Sequence, residues 1–453
     1  MSVELERWLA ASQLHQRLSN ELVQESTPCY LVGGTVRDLL LGRASRDVDL
    51  AVAHDALAIG RRLANRLGGA FVPLDVERDV ARVVLGRGEQ SEHIDLTGFR
   101  GNDLVADLRA RDFTVNAMAI GLSGDERGRL FDPTGGREHL QCRCLRLPDP
   151  QAMRDDPLRL LRGLRIAAML GFRLDAQAWT ASREAVSLLG QVSAERVRDE
   201  FLQMLQLDDV ATLLGQAHDL GALATILPGV EWDGSYGPAL ETLAHFGAGE
   251  GTLWQTLLPD SEALLDDAGR PIAGDRIVWS TVMLAGLLSL CCVQAPDACA
   301  RSAATRLALS RRESQLLSRA LNAIRGEVLS QGGQPADDLA LHRLFRAYGW
   351  AAAVAALLSG ATAIPLGEVQ DDWRIARSRR VLATWYRRYA QVVSPPQLVS
   401  GADLMRELGI EPGPRVGCTL RVIQEGQVLG LVNDAQQALQ FARRKLCDAE
   451  SAG

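Results

Sequence analysis

The sequence predicts an α+β N-terminal region of about 140 residues followed by an all-α remainder. Three observations carry that expectation. Up to that point, short apolar runs bounded by glycine and charged clusters alternate with helical patterns. Beyond it, apolar residues recur at helical spacing almost to the end of the chain. The chain also has 453 residues, 47% of them hydrophobic, more than one compact domain of roughly 100–200 residues needs.

Taken in order, Glu4–Gln24 reads as a short helix. Cys29-Tyr30-Leu31-Val32 reads as a strand, Gly33-Gly34 as a turn, and Thr35–Leu41 as a helix closed by Gly42. Asp47–Val52 reads as a strand and Ala56–Leu67 as a helix. Strand-like runs recur at Gly69–Leu74, Ala81–Leu85 and His93–Leu96. Val115–Leu122 fits a strand or a helix, and periodicity does not decide between them. Asp156–Leu170 reads as a helix, with Pro157 in the first turn, where a missing N–H costs little, and Gly171 at its C-terminus. Ala194–Leu205 is a further helix. From 206 to 390, helical patterns are broken by the Gly- and Asp-rich stretches Gly229–Gly251 and Asp260–Asp275. Ser394-Pro395-Pro396 marks a linker, and Gly401–Leu408 with Val416–Leu446 makes a small helical tail.

Composition excludes some functions. A net charge of −7 argues against a generally basic nucleic-acid binder, although a local basic patch is what attracts phosphate. Aromatic residues are 5% of the chain, too few for base stacking on many rings. Lys445 is the only lysine, so arginine carries the positive charge. The eight cysteines include no CxxC pair and no zinc spacing. Met1–Leu22 is charged and amphipathic rather than signal-like, and Ile277–Val293 is short for a membrane span. The expectation is a soluble protein of the reducing cytoplasm, without a membrane partner.

Asp47 and Asp49 are two apart on a predicted strand, so their carboxylates share a side while Val48 and Leu50 point to the other. Two such carboxylates repel unless a cation or proton sits between them. Magnesium suits the pair, because it takes oxygen ligands and completes its shell with water and phosphate. A two-metal arrangement would activate a 3′-hydroxyl and steady a leaving pyrophosphate. Alone, the pair is a weak signal, because acidic pairs near strand ends are common and are usually just solvated. Gly33-Gly34 between a strand and a helix lets backbone approach a phosphate at a helix N-terminus, with Arg37 one turn further on; an ordinary glycine turn is the alternative.

Asp95 is either a third carboxylate beside this pair or a strand-end aspartate. Arg111 suits phosphate or ribose, and Asp112 and Asn116 suit hydroxyls, against a loop salt bridge with a turn asparagine. Asp156, Arg159, Arg162 and Arg165 recur every third residue on a predicted helix, an arginine ridge with an acidic start. Asp156 and Arg159 offer acceptors and a donor fork that would match a base edge; Asp155 or Asp156 as an N-cap, and a solvated arginine face, are the alternatives.

These segments together resemble a known family. Leu31–Gly42 with Asp47-Val48-Asp49 closely resembles motif A of the class II tRNA nucleotidyltransferases and bacterial poly(A) polymerases. Arg111–Ala119 resembles their ribose-recognition motif, and Asp155–Arg165 their "EDxxR" neck motif. Leu170-Gly171-Phe172, Glu195-Arg196, Gly401–Leu404 and Pro412–Gly417 are similar in style. The resemblance is strong over 30–205 and weaker beyond.

It implies a polymerase-beta-like nucleotidyltransferase head (1–140), a helical neck with the base-reading motif (141–205), a helical body (206–390) and an RNA-binding tail (391–453). It implies Mg2+ on Asp47 and Asp49, phosphate contacts at Gly34, Arg37 and Gly33, and nucleotide or ribose contacts at Arg111 and Asp112. Asp156 and Arg159 would template the incoming base, with Arg162 and Arg165 as further nucleotide-binding arginines. The implied partners are the 3′ end of tRNA, CTP and ATP.

Three departures stand out. Asp155 replaces the usual Glu, and Ala110 a common basic residue. In Met283–Leu290, Ser289-Leu290 replaces the metal-binding His-Asp pair that many relatives carry, and His218-Asp219 is an unrelated pair expected on a helix surface. The body therefore reads as an HD-type domain without its metal ligands. The competing classes are an idle RNA-binding relative, whose signature would be a damaged DxD or glycine pair, and an HD phosphohydrolase, which Ser289-Leu290 opposes.

Overall fold

A computed structural model of the protein describes residues 3–44, 47–86, 91–247, 261–274, 276–292, 295–331, 336–363 and 373–451. Parts of the stretches Gly229–Gly251 and Asp260–Asp275 lie outside the described residues. The chain folds as two compact units, Met1–Val192 with Leu220–Ala222, and Ser193–Asp219 with Leu223–Gly453.

The first unit opens with two helices, α1 (Val3–Ala11) and α2 (Gln13–Leu22), where the sequence suggested one. Ser12 breaks them: it is extended and its side chain caps α2 by accepting from the His15 N–H. There follow β1 (Cys29–Val32), α3 (Gly33–Leu40), β2 (Asp47–Val52), α4 (Ala56–Leu67), β3 (Ala70–Asp75), β4 (Val80–Leu85), β5 (Glu92–Gly98) and α5 (Leu104–Arg109). A 3-10 turn at Thr114–Asn116 leads into β6 (Ala119–Gly121), then β7 (Leu130–Phe131) and α6 (Gly136–Gln141). The ambiguous Val115–Leu122 is therefore a turn followed by a strand.

One seven-stranded mixed sheet results, in the order β3-β4-β5-β2-β1-β6-β7. β2 and β5 are parallel, with Asp47 opposite His93 and Asp49 opposite Asp95. β1 lies antiparallel to β2 and β6. Period two holds along β2: Val48 and Leu50 are buried while Asp47 is exposed and Asp49 half-buried. Val48, Leu50, Ile94 and Leu96 fill one face, each contributing about 1.5–3 kcal/mol by leaving water.

The unit continues with β8 (Cys144–Leu145), α7 (Ala152–Asp155), α8 (Arg159–Leu170), β9 (Arg173–Leu174) and α9 (Ala176–Ala185). α8 ends as the sequence predicts, on a left-handed Gly171. It begins later than predicted. Asp156 is extended, at φ −145° and ψ 93°, and Pro157 lies before the helix rather than in its first turn. The residue before a proline is pushed out of helical backbone by the ring. Asp156 is thus off the helix, and neither it nor Asp155 is its N-cap, which is Leu158.

Apart from a two-stranded antiparallel ribbon, Pro271–Ala273 with Arg276–Ile277, the described residues of the second unit are almost wholly helical outside their turns. Val278–Cys291 and Ala351–Ala363 are apolar on all sides and buried, as inner helices must be. Glu313, fully buried, is held by the Arg276 guanidinium at 2.7 and 3.0 Å. Ser289 donates its hydroxyl to the Gly286 carbonyl at 2.8 Å, and His218 and Asp219 are exposed at the end of the helix Val210–Asp219. The tail segment Val416–Leu446 is two helices, Pro414–Val428 and Ala435–Ser451, parted near the left-handed Gly430, whose φ is +72°. Ile423, Val432, Ala438 and Ala442 pack with Leu404.

Among the described residues no single helix is long and apolar enough to cross a membrane; Asp338–Tyr348 and Ala351–Ala363 would do so only as a pair bent by 112°. The sequence reading assigned no pairing to the cysteines, whereas the structure joins Cys292 to Cys299, whose Cα atoms lie 6.4 Å apart, within bridging range.

Candidate active site

The site grows from the β1–α3 turn. Gly33 has φ +69°, a left-handed backbone that a side chain resists. A Cβ there would also lie 3.2 Å from both Arg111 Nη1 and Asp49 Oδ2. Glycine is thus required twice, and its bareness lets Arg111 and Asp49 close on the turn. At Gly34 a Cβ would meet only the Arg37 guanidinium, at 3.4 Å.

Thr35, which the sequence reading passed over, ties this turn to β2. Its hydroxyl donates to the Asp47 carbonyl at 3.3 Å and accepts from the Asp49 N–H at 3.0 Å. Its one signal is a hydroxyl residue directly after the glycine pair.

The carboxylates differ in setting. Asp47 is exposed and 3.7 Å from the His93 ring. Asp49 is pushed up to about 6 by burial first, then by the charge of Asp95, with Arg111 opposing and Asp47 adding repulsion. Asp95 is brought beside Asp49 by register, yet both its oxygens are held by Arg82 at 2.7 and 2.8 Å. Among the described residues no group of three or more His, Cys, Asp or Glu forms a ready-made metal cage. Asp49, whose ionisation is suppressed by burial and by the charge of Asp95, together with the exposed Asp47 beside it, suits a magnesium ion that takes its remaining ligands from water and phosphate.

Arg37 is buried and well occupied. It forks onto its neighbour Asp38 at 2.8 and 2.9 Å and donates from Nη1 to Asn116 Oδ1 at 2.9 Å. Asn116 in turn donates to Asp112 Oδ1 at 3.0 Å. Asp112 also accepts from its neighbour's N–H at 2.8 Å and, on Oδ2, from Arg162 Nε at 2.6 Å. Burial alone would raise Asp112, but the charge and hydrogen bond of Arg162, with Asn116 and the Phe113 N–H, hold it at about 2. A continuous relay therefore runs from Arg37 through Asn116 and Asp112 to Arg162, from the glycine turn to α8.

The arginine ridge divides. Arg159 donates to the Ala110 carbonyl at 2.8 Å and Arg162 to Asp112, whereas Arg165 turns along its own helix to the Met169 sulfur at 3.3 Å. Asp156 precedes the ridge, its carboxylate 3.4 Å from the Leu158 N–H.

Three residues at this site escaped the sequence reading besides Thr35. Asp107, almost fully buried, accepts from Arg111 at 3.0 and 3.2 Å and from the Arg100 N–H at 3.1 Å; its signal was the i,i+4 spacing to Arg111. Gly163 lets α8 press on Phe113, where a Cβ would stand 2.7 Å from the ring. Arg100 lies in the field of Arg111, Asp107, Arg159 and Asp112, and is pushed below its ordinary value by burial first and Arg111 second; nothing in its sequence neighbourhood marks it.

Comparison with known proteins gives the class first. Residues 29–146 match the family described as the poly A polymerase head domain, and 171–233 a probable RNA and SrmB-binding site of polymerase A. The chain is 31% identical to the CC-adding tRNA nucleotidyltransferase of Geobacter sulfurreducens, over 92% of this chain and 91% of that one. It is 33% identical to the A-adding tRNA nucleotidyltransferase of Deinococcus radiodurans, over 91% and 94%. The fold is also that of the Thermotoga maritima CCA-adding enzyme complexed with tRNA, at TM-score 0.65 and 20% identity over 98% of each chain. The chain belongs to the class II tRNA nucleotidyltransferase and bacterial poly(A) polymerase family and is an enzyme, a nucleotidyltransferase.

Proposed function

We propose that this enzyme adds CMP, AMP or both, from CTP and ATP, to the 3′ end of tRNA without a nucleic-acid template. The observation that carries the reading is the relay Arg37–Asn116–Asp112–Arg162, which joins a phosphate-type glycine turn to the arginine helix. The curated relatives named above add either CC or A to tRNA, which favours tRNA over general poly(A) addition, the second reading.

In this proposal Asp47 and Asp49 would hold Mg2+, which when bound would supply positive charge to lower the proton affinity of the attacking 3′-hydroxyl and to balance the leaving pyrophosphate. The chain's own groups do the rest. The backbone of Gly33 and Gly34 admits the triphosphate at the start of α3. Arg37 and Arg111 line that opening. Asp112 and Asn116 hold the ribose side, with Asp112 kept ionised by Arg162. Asp156 and Arg159 read the base edge, and Arg165 and the tail grip nucleotide and RNA. Asp95 is the third carboxylate of the set, its two oxygens held by Arg82. The intact DxD and glycine pair oppose an idle RNA-binding role.

The four-part division stands in the same proposal, with a catalytic head (1–140), neck (141–205), body (206–390) and RNA-binding tail (391–453), in a cytoplasmic protein. The deciding experiment gives purified enzyme tRNAs ending at the discriminator base, at C and at CC, with each NTP alone and with CTP plus ATP. Extension from the discriminator base to CC only, from CC by one A only, or through all three steps assigns the version. A long A tract on any RNA 3′ end assigns the second reading, and no extension refutes both.

A further inference from the structure

One thiol pair stands apart from the nucleotide chemistry. Cys142 closes α6 and Cys144 opens β8, and their sulfurs are 2.8 Å apart. Arg143 between them has φ +53°, a left-handed turn unusual for a residue with a side chain, and it is this turn that folds the two thiols together. Cys142 is exposed and Cys144 buried.

The separation selects the chemistry. Two thiolates on one zinc-type ion, each at about 2.3 Å in tetrahedral geometry, would sit roughly 3.8 Å apart. The observed pair is closer than that, and His139, the neighbouring candidate ligand, is hydrogen-bonded to the Thr114 hydroxyl at 2.9 Å. The sulfurs are too close to share one metal, and a covalent bond between them needs only that they close by a further ~0.8 Å.

We infer that Cys142 and Cys144 form an oxidisable dithiol that exchanges with low-molecular-weight disulfides such as oxidised glutathione. The exposed Cys142, as thiolate, attacks one sulfur of the disulfide, forming a mixed disulfide and releasing one thiolate. Cys144 gives up its proton and attacks the Cys142 sulfur, releasing the second. Two protein thiols lose two electrons and two protons, and one disulfide becomes two thiols. Burial, together with the adjoining Cys142, pushes the Cys144 thiol up to about 12, which slows the second step relative to attack by an ordinary thiol in the same place.

The position ties this bond to the site. The Arg146 carbonyl, two residues beyond Cys144, accepts from the Thr114 N–H at 2.9 Å, and Thr114 opens the turn that carries Asn116. Closing the Cys142–Cys144 ring constrains the segment that props the relay.

The test treats the full-length enzyme with oxidised glutathione and maps its cysteine peptides by mass. The wild type is expected to lose two hydrogens from the peptide holding Cys142 and Cys144. Cys144→Ser should trap one glutathione on Cys142, and Cys142→Ser should leave that peptide unmodified. Primer extension by the oxidised wild type should fall at least twofold and recover with a dithiol reductant, while Cys142→Ser stays constant. An unmodified pair alongside glutathione on the exposed Cys418 overturns the inference, as does an oxidised pair with an unchanged extension rate. The mapping is independent of which nucleotides are added, so its failure is distinct from failure of the proposed function.

Discussion

Arg162 reaches back from α8 to donate its Nε hydrogen to Oδ2 of Asp112 at 2.6 Å, and with the bond from Arg159 to the Ala110 carbonyl it couples the helix to the segment that follows α5. Asp112 is nearly enclosed and Arg162 is 45% exposed, so solvent screens one partner only. A double-mutant cycle with Asp112→Asn and Arg162→Met should show a coupling of about 1–2 kcal/mol in unfolding free energy. Additive losses would show that the bond contributes no stability.

The same aspartate should leave a pH signature. Its folded value, about 2, lies below the ordinary 3.8. A depressed carboxylate contributes stability that is fully present above its unfolded value and is lost as pH falls through the folded one. Wild type minus Asp112→Asn should therefore show a stability difference of about 2 kcal/mol that fades between pH 4 and pH 2, roughly the two titration points. Chemical denaturation at several acid pH values measures it, and a difference that does not change over this range would contradict the assignment.

Asp47→Ala and Asp49→Ala should each abolish nucleotide addition. Neither should lower the melting temperature, because each removes a repelling charge and Asp49 is already pushed up to about 6. Turnover retained by both variants at normal magnesium would move the site elsewhere.

Gly33→Ala should cost about 1–3 kcal/mol of stability through its left-handed backbone, and more in activity, because the new methyl meets Arg111 and Asp49 at 3.2 Å. Gly34→Ala, with no positive φ and a contact to Arg37 alone, should be milder in stability. Equal melting points for the two variants would contradict this reading of the turn.

Base choice tests Asp156 and Arg159. Arginine offers donors only and ionised aspartate acceptors only. CTP and ATP present an amino group where UTP and GTP present a carbonyl, and an opposed pair of acceptors costs about 1–3 kcal/mol, or roughly tenfold to a hundredfold. Asp156→Ala and Arg159→Ala should lose selectivity and rate together, read as incorporation of all four NTPs on a tRNA primer. A uniform slowing that keeps the wild-type preference order would leave the ridge as a phosphate grip.

Local signals made much of this molecule readable. β2 and α4 lie where alternation and helical periodicity place them, and Gly171 closes α8 as its lack of a side chain suggests. Boundaries set by one residue's backbone were harder. Asp156 belongs to the helical pattern, yet the ring of Pro157 forces it to extend. Ser12 splits an otherwise continuous helix by capping the second half. Long-range partners left less trace. Asp107 and Arg111 show their spacing, but the pairing of Asp95 with Arg82 depends on which strands become neighbours, and Asn116 meets Arg37 across a sequence separation of 79.

The Thr35 hydroxyl, by accepting from one strand amide and donating to a carbonyl two residues earlier, acts as a rivet through β2 and α3. Carboxylates and glycine turn are thereby tied together, so that in the proposed function the edge that would face the metal and the edge that would face phosphate keep a fixed offset. On the proposed reading, adjustment to a cytosine or an adenine, or to a growing 3′ end, would fall on the α8 side of the relay, where Arg162 is half open to water and Arg165 lies along its own helix against the Met169 sulfur. On the proposed reading, an enzyme built this way would change what it reads without disturbing where it cuts the triphosphate.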